Sequence, residues 1–259
     1  MNSLYKLSTL VKPSDIQEYV SALENNKSVI LNTSHNFVFA TKLFSITEIY
    51  RLLDLKQIEN KNKNKEHPIC LCSGFYDSST LLELNYVEEK LYKIITEQFW
   101  PGPLNICVRA KPFIDSMAKY KQNYIIIHSP SNRYIRKILE TIRMPILTFL
   151  TNKYNDLPFL TYKDITHTYE SENIPIMNIS GCSKRVNGIH NTTILIENNT
   201  VTLLQRGPIS FTGIQKYIQS KYTDSICFQT DIQINVNVEL KKPIFSLQLM
   251  DLQTTSIQE

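Results

Sequence analysis

The stretch Phe99-Trp100-Pro101-Gly102-Pro103-Leu104 decides the fold of this chain. It holds the only Trp in 259 residues, together with two of the 11 Pro and one of the six Gly. Two prolines around a glycine impose a rigid, irregular backbone, and the hydrophobic pattern predicts a helix before the stretch and a strand after it. We therefore predict a helix-to-strand corner, and on physical grounds alone such a corner shapes the backbone.

The composition indicates a globular, mildly basic protein. Hydrophobic residues make up 42% and charged residues 20% of the chain, which is enough to bury a core and untypical of disorder. The net charge of +4 permits binding to nucleic acid or nucleotides but does not argue for it. No apolar run approaches the roughly 18 residues of a membrane span, and the N-terminus lacks a signal-peptide pattern. We expect no membrane contact and a cytoplasmic location, with an organellar setting left open.

The cysteines and histidines predict no metal site. Of the five cysteines only Cys70 and Cys72 are close, as a C-x-C pair inside an apolar run. Buried free thiols in a reducing compartment are favoured over a metal clip, because no second Cys or His pair lies nearby. The five histidines are scattered without zinc-like spacing, and none has an evident nucleophile partner.

Helical spacing and apolar runs alternate along the chain, which predicts an α/β fold with a mixed sheet. Predicted helices cover residues 14–25, 46–55, one or two segments of 80–98, 133–143 and 211–220. Predicted strands cover 28–31, 37–41, 68–73, 105–109, 123–128, 145–150, 176–180, 192–197 and 200–205, with a tight turn at Asn198-Asn199. We assign residues 1–221 to one domain and 222–259 to a C-terminal extension that alternates polar and apolar residues like a strand.

The corner resembles the FWPGPL segment of the YrdC/YciO family, the threonylcarbamoyl-AMP synthases. Other segments follow in the family's order and spacing over roughly residues 16–218. The resemblance implies a YrdC-like twisted sheet of parallel and antiparallel strands, with flanking helices and an open, concave, basic face. It also implies a reaction in which threonine, bicarbonate and ATP give threonylcarbamoyl-AMP and pyrophosphate, for modification of adenosine in tRNA.

The resemblance implies catalytic roles for three residues, one of them a lysine in place of the family's arginine. Lys61 and Lys63 fall on its Lys-x-Arg pair, with Lys56 as the other candidate for the first lysine. Two cations two residues apart on a loop can both face a polyphosphate, although a solvated lysine loop explains them equally well. Asn152 falls on the asparagine of the family's Ser-x-Asn. The resemblance also implies Mg²⁺ as a cofactor, carried with the triphosphate.

Five further positions are the implied substrate-binding residues. Thr33 matches the first threonine of a Pro-Thr-x-Thr run, and Thr192 and Thr193 match a hydroxyl pair at the start of a strand. Arg206 lies one residue beyond the place of a family arginine, which Gln205 occupies. Thr151 is a hydroxyl beside the family's serine position.

Several substrate-contact positions depart from the family's pattern. His128 replaces the arginine of an Arg-x-Pro motif, and a neutral imidazole is a poorer anion clamp than a guanidinium. Leu150 replaces the serine of Ser-x-Asn, which removes a hydroxyl. Losing one oriented donor typically costs about a hundredfold in rate.

These departures leave three functions open. The first is a diverged threonylcarbamoyl-AMP synthase that binds ATP and threonine. The second is a YrdC-like module without catalysis that binds nucleotide or structured, double-stranded RNA. The third is a structural subunit of a larger protein complex, held through residues 222–259.

Overall fold

The computed structural model describes residues 12–33, 35–56, 68–114, 123–151, 159, 161–178, 190–198 and 200–221. The helices are α1 (Gln17–Glu24), α2 (Ile46–Leu55), α3 (Phe75–Ser79), α4 (Tyr86–Phe99), α5 (Arg133–Ile142), α6 (Tyr162–Tyr169) and α7 (Phe211–Lys221). The strands are β1 (Val29–Asn32), β2 (Phe37–Lys42), β3 (Ile69–Leu71), β4 (Leu104–Arg109), β5 (Tyr124–His128), β6 (Ile146–Leu150), β7 (Thr192–Glu197) and β8 (Thr200–Gln205). Short 3-10 helices lie at Pro13–Asp15 and Glu170–Glu172.

The eight strands form one mixed sheet in the order β1-β2-β6-β3-β5-β4-β7-β8. The pairs β3–β5 and β4–β7 are parallel, and the other five are antiparallel. The register gives the sheet two ends. The turn from β1 to β2 and the end of β6 lie at one, called here the hairpin end. The ends of β3, β5 and β8 and the starts of β4 and β7 lie at the other, the corner end.

Helices cover both faces of the sheet, because successive strand residues point to opposite sides. The larger apolar cluster lies on one face and includes Ile30 of β1, with buried residues of α2, α4, α6 and α7. The smaller cluster lies on the other face and includes Leu31, with buried residues of α1 and α5. Since α1 and α5 pack on β1, β2, β3 and β6, the smaller cluster occupies one half of its face.

The fold predicted from the sequence is confirmed as a mixed α/β sheet with flanking helices. Most elements begin and end within three residues of their predicted bounds, and α2 matches them at both ends. The predicted strand at 176–180 is a single parallel bridge between Ile176 and Ile30, and its last two residues lie outside the described ranges. Within those ranges, no helix is both long and apolar enough to cross a membrane.

One buried hydroxyl in the core leads to a stability prediction. Thr41 of β2 is fully buried, and its Oγ1 has no hydrogen-bond partner among the described residues. Thr41→Val removes an unsatisfied polar atom at nearly constant volume, so we expect the free energy of unfolding to rise by about 1 kcal/mol. The measurement is urea unfolding followed by circular dichroism.

Thr148→Val is the matched control for this change. Thr148 is also buried in a neighbouring strand, but its Oγ1 donates to the carbonyl oxygen of Ile69 at 2.7 Å. Removing that hydrogen bond is expected to lower the free energy of unfolding by about 1 kcal/mol. Equal effects of both substitutions would contradict the assignment of Thr41 as unsatisfied.

Candidate functional site

The corner ahead of β4 is built as the sequence predicts. An Asn85 capping box starts α4, and the helix ends at Phe99. The Trp100 indole is buried, packs edge-to-face on Tyr92 at 5.8 Å, and donates its Nε1–H to the Leu104 carbonyl oxygen at 2.7 Å. A Cβ on Gly102 would lie 2.5 Å from the Phe99 carbonyl oxygen, so this position accepts only glycine without a backbone shift. The corner thereby fixes where β4 begins.

A line of polar side chains crosses four strands just inside the corner end. Register pairs His128 of β5 with Asn105 of β4, Asn105 with Thr193 of β7, and Thr193 with Gln205 of β8. Asn105 Nδ2 donates to Thr193 Oγ1 at 3.3 Å, and Thr193 Oγ1 donates to Gln205 Oε1 at 3.4 Å. We call these four residues, together with Asn191, the polar row.

The polar row lies on the face opposite the larger apolar cluster. The strand neighbours of its members, Leu104, Ile106, Ile127 and Ile194, belong to that cluster. Asn191 Nδ2 donates to Asn105 Oδ1 at 3.0 Å, while Asn191 Oδ1 is buried without a partner among the described residues. The row therefore contains one buried acceptor whose hydrogen bond the described residues do not supply.

His128 is neutral at physiological pH. Burial lowers the pKa of its imidazole to about 4, with a smaller lowering from His35, against the opposing effect of a hydrogen bond to Leu104. Its Nδ1 lies 3.1 Å from the Leu104 carbonyl oxygen, which only accepts, so Nδ1 carries the proton. Nε2 is then a hydrogen-bond acceptor. His128 cannot supply the positive charge that an arginine would provide at this position.

Thr192 holds the segment that carries Arg206. The buried Thr192 Oγ1 donates to the Ile209 carbonyl oxygen at 2.8 Å and accepts from the Ile209 N–H at 3.0 Å. Between these residues, Gly207 packs directly on the backbone of residues 190–192. Arg206 itself is exposed at the end of β8, beside the polar row. The structure thus brings Thr192, Thr193 and Arg206 together at the corner end.

Thr33 and Thr151 lie at the hairpin end, away from that group in strand register. Thr33 Oγ1 donates to the Asn36 carbonyl oxygen at 2.9 Å and accepts from its N–H at 3.1 Å, which closes the turn from β1 to β2. Thr151 is buried, and its Oγ1 donates to the Phe37 carbonyl oxygen at 3.0 Å. Tyr169 donates its hydroxyl to the Thr151 carbonyl. Both threonine hydroxyls already satisfy backbone groups, and their roles in substrate binding stay predictions.

The segment after β5 connects the two groups. Asn132 caps α5 by accepting from the N–H groups of Tyr134 and Ile135, and its Nδ2 donates to the Asn32 carbonyl oxygen at 3.0 Å. Residues 128–132 therefore extend from the polar row to the end of β1, next to the Thr33 turn.

The three predicted catalytic residues lie outside the described ranges. These are Lys61, Lys63 and Asn152, and their roles stay predictions. The same holds for the extension at residues 222–259. In the described part of the chain, no group of three or more His, Cys, Asp or Glu side chains could hold a metal ion. The polar row offers amide and hydroxyl oxygens but no carboxylate, so it fits Mg²⁺ only when phosphate oxygens complete the ligand set.

Sequence reasoning missed Asn105 and Asn191. Asn105 is a buried polar residue inside the apolar run Leu104–Val108, directly after the corner, and that interruption was the available signal. Asn191 precedes the threonine pair and carries no comparable signal in the sequence. It belongs to the row only through its contacts with side chains of β4 and β5.

Comparison with known proteins identifies a family and similar folds for this chain. The Sua5/YciO/YrdC family model, described as "Telomere recombination", matches residues 21–207. A search of curated protein sequences finds no match. Among solved structures, P. abyssi Sua5 complexed with L-threonine is similar with a TM-score of 0.68 and 15% identity, covering 84% of this chain and 63% of that one.

Two more structures agree. A doubly alanine-substituted variant of P. abyssi Sua5 has a TM-score of 0.68 and 17% identity, covering 80% of this chain and 60% of that one. E. coli YciO has a TM-score of 0.64 and 16% identity, covering 78% of this chain and 94% of that one. The chain thus spans less than two thirds of the length of Sua5 in both structures, and at these identities the likeness concerns the fold. The family model covers most of the chain, and the chain belongs to the Sua5/YciO/YrdC family.

Proposed function

We propose that the chain acts in tRNA modification as a threonylcarbamoyl-AMP synthase. The observation that carries this proposal is the match of the family model over residues 21–207, which includes the corner and the polar row. The L-threonine bound to the similar P. abyssi Sua5 supports threonine as one substrate.

The proposed reaction has two bond-forming steps. The threonine amine and bicarbonate condense to a carbamate with loss of water. A carbamate oxygen then forms a bond to the α-phosphorus of ATP, and the bond from that phosphorus to the bridging oxygen breaks, releasing pyrophosphate. Such chemistry depends on positioning and on stabilising the phosphate charge.

The chain's residues divide between those two tasks. Lys61, Lys63 and the exposed Arg206 are the cations proposed for the phosphates, and Mg²⁺ would supply further positive charge on the triphosphate. Thr193 and Asn191 of the polar row are the neutral polar side chains proposed to orient a substrate, and Asn191 Oδ1 is an acceptor without a partner among the described residues. Asn152, Thr33, Thr151 and Thr192 complete the proposed set, the last three through hydroxyl oxygens that retain a second acceptor lone pair.

A second candidate function is binding of nucleotide or structured RNA without turnover. The neutral His128 favours it, because a cation in the family's pattern is missing at this buried position within the row. A protein that binds RNA through Lys61, Lys63 and Arg206 should lose affinity steeply as salt rises, since phosphate contacts release counterions.

Pyrophosphate release tests the first proposal. Purified protein with Mg²⁺, ATP, threonine and bicarbonate should release pyrophosphate, and omission of either threonine or bicarbonate should abolish the release. Release at the background rate, with ATP binding still detected by calorimetry, would support the second function. Neither release nor binding of ATP or RNA would reject both functions.

Leu150→Ser should increase the rate of pyrophosphate release. The substitution places a hydroxyl at the family's serine position, directly before Thr151, and one oriented donor is typically worth about a hundredfold in rate. Leu53→Ser, at a half-buried leucine of α2, is the control for the cost of introducing a polar group at such a position. An unchanged rate in Leu150→Ser, with the fold intact by circular dichroism, would contradict this role for position 150.

A further inference from the structure

The two edges of the sheet differ in how the described residues cover them. At the β1 edge, the Ile30 N–H donates to the Pro175 carbonyl oxygen, and the Met177 N–H donates to the Ile30 carbonyl oxygen, both at 2.8 Å. At the opposite edge, β8 pairs with β7 on one side, and no described strand pairs with its other side. The β8 edge thus offers backbone donors and acceptors in extended geometry.

The sequence of β8 lacks the usual protection of an open edge. Thr200–Gln205 contains no charged residue and no proline, the two devices that most often prevent pairing with another strand. Val201, Leu203 and Leu204 are only half-buried. Two of them, Val201 and Leu203, pack against the rim of the larger apolar cluster. The edge is therefore suited to a further strand with an apolar side toward that cluster.

We propose that residues 232–240 of the same chain add a ninth strand to the β8 edge. This segment lies outside the described residues and reads Ile-Gln-Ile-Asn-Val-Asn-Val-Glu-Leu. Aliphatic and polar residues alternate, with the aliphatic ones at positions 232, 234, 236, 238 and 240. This is the pattern of a strand with one buried and one solvated face. Lys241-Lys242-Pro243 follows and would end the pairing.

The tether is long enough for this pairing. The last helix, α7, follows β8 and ends at Lys221, and its Ile214 and Ile218 are buried in the larger cluster. The ten residues between Lys221 and Ile232 can span about 33 Å, while the six residues of β8 extend over about 20 Å. The tether is therefore longer than β8 itself, and the aliphatic side of the segment would extend the apolar layer that Val201 and Leu203 begin.

Hydrogen exchange measured by mass spectrometry on the full chain tests this inference. The β8 amides that point away from β7 should be protected in the native chain. Val236→Pro removes a donor from the centre of the added strand, and we expect it to speed exchange of those β8 amides by roughly tenfold or more. Exchange within β4 should not change, which shows that the domain remains folded.

Two matched variants complete the test. Gln253→Pro places the same residue type in the tail but outside the proposed strand and should leave β8 exchange unchanged. Val236→Ile keeps the aliphatic side and should retain the protection. The inference is overturned if Val236→Pro leaves β8 exchange as it was. It is equally overturned if protection disappears on dilution together with a dimer, because a second copy then supplies the strand.

Discussion

Lowering the pH from 7 to 4 should cost the fold about 3 kcal/mol of unfolding free energy through His128 alone. The pKa of this imidazole is about 4 in the folded protein, against an ordinary value of 6.5. The folded state therefore binds fewer protons than the unfolded state between these values. The stability contributed by the neutral imidazole is complete above pH 6.5 and is lost as the pH falls toward 4. Urea unfolding at half-unit intervals of pH measures this slope.

His128→Gln is the control for the pH dependence. Glutamine keeps a neutral hydrogen-bonding side chain but does not titrate. The free energy of unfolding of this variant should therefore fall by about 3 kcal/mol less than that of the wild type between pH 7 and 4. Among the described residues, the other carboxyl and imidazole groups with shifted pKa values are Glu48 and His190, and both are present in both proteins and cancel in the difference. An identical slope in both proteins would mean that His128 is protonated in the fold without cost.

Gly207→Ala is expected to lower the free energy of unfolding by about 3 kcal/mol or to displace residues 206–210 from β7. A Cβ at this position would lie 2.2 Å from the Thr192 nitrogen, 2.5 Å from the Asn191 carbonyl carbon and 2.8 Å from the His190 carbonyl oxygen. All three atoms belong to the backbone, so none can move aside by a rotamer change, and overpacking of this kind costs several kcal/mol. Thermal and urea unfolding measure the effect.

Gly74→Ala provides the comparison for this substitution. A Cβ on Gly74 meets nothing within 4 Å, so the free energy of unfolding of Gly74→Ala should lie within about 0.5 kcal/mol of the wild-type value. Because Thr192 and Gly207 fix the segment that carries Arg206, the proposed function adds the expectation that Gly207→Ala weakens ATP binding. Equal stability of the two alanine variants would show that the backbone of residues 190–192 gives way easily.

Local patterns predicted most of the fold because the elements depend on short-range periodicity. The α2 helix shows apolar spacing through Ile49 and Leu52, and the apolar runs of β5 and β6 cannot be exposed. The short α3 and α6 helices were missed, since Phe75–Ser79 and Tyr162–Tyr169 contain too few apolar repeats to stand out. The strand order was also not predictable, because it depends on pairings between distant parts of the chain.

The candidate site was predictable only as a set of residue types. Thr193 was singled out with Thr192, yet nothing local distinguishes their roles. Thr193 is shared between side chains of β4 and β8, while Thr192 is bonded to the backbone of Ile209. Asn105 and Thr193 are 88 residues apart in sequence, so their contact follows from register alone. The spacing of residues along the sequence does not predict a contact between partners so far apart.

The Leu104 carbonyl oxygen, which accepts from both Trp100 and His128, gives the molecule an optical reporter. Trp100 is the only tryptophan in the chain, so all indole emission arises beside this oxygen. Protonation of His128 would alter the hydrogen bonding at this oxygen and so the surroundings of the indole N–H. We expect the wavelength of intrinsic fluorescence to report that protonation in the unmodified protein, without any attached dye.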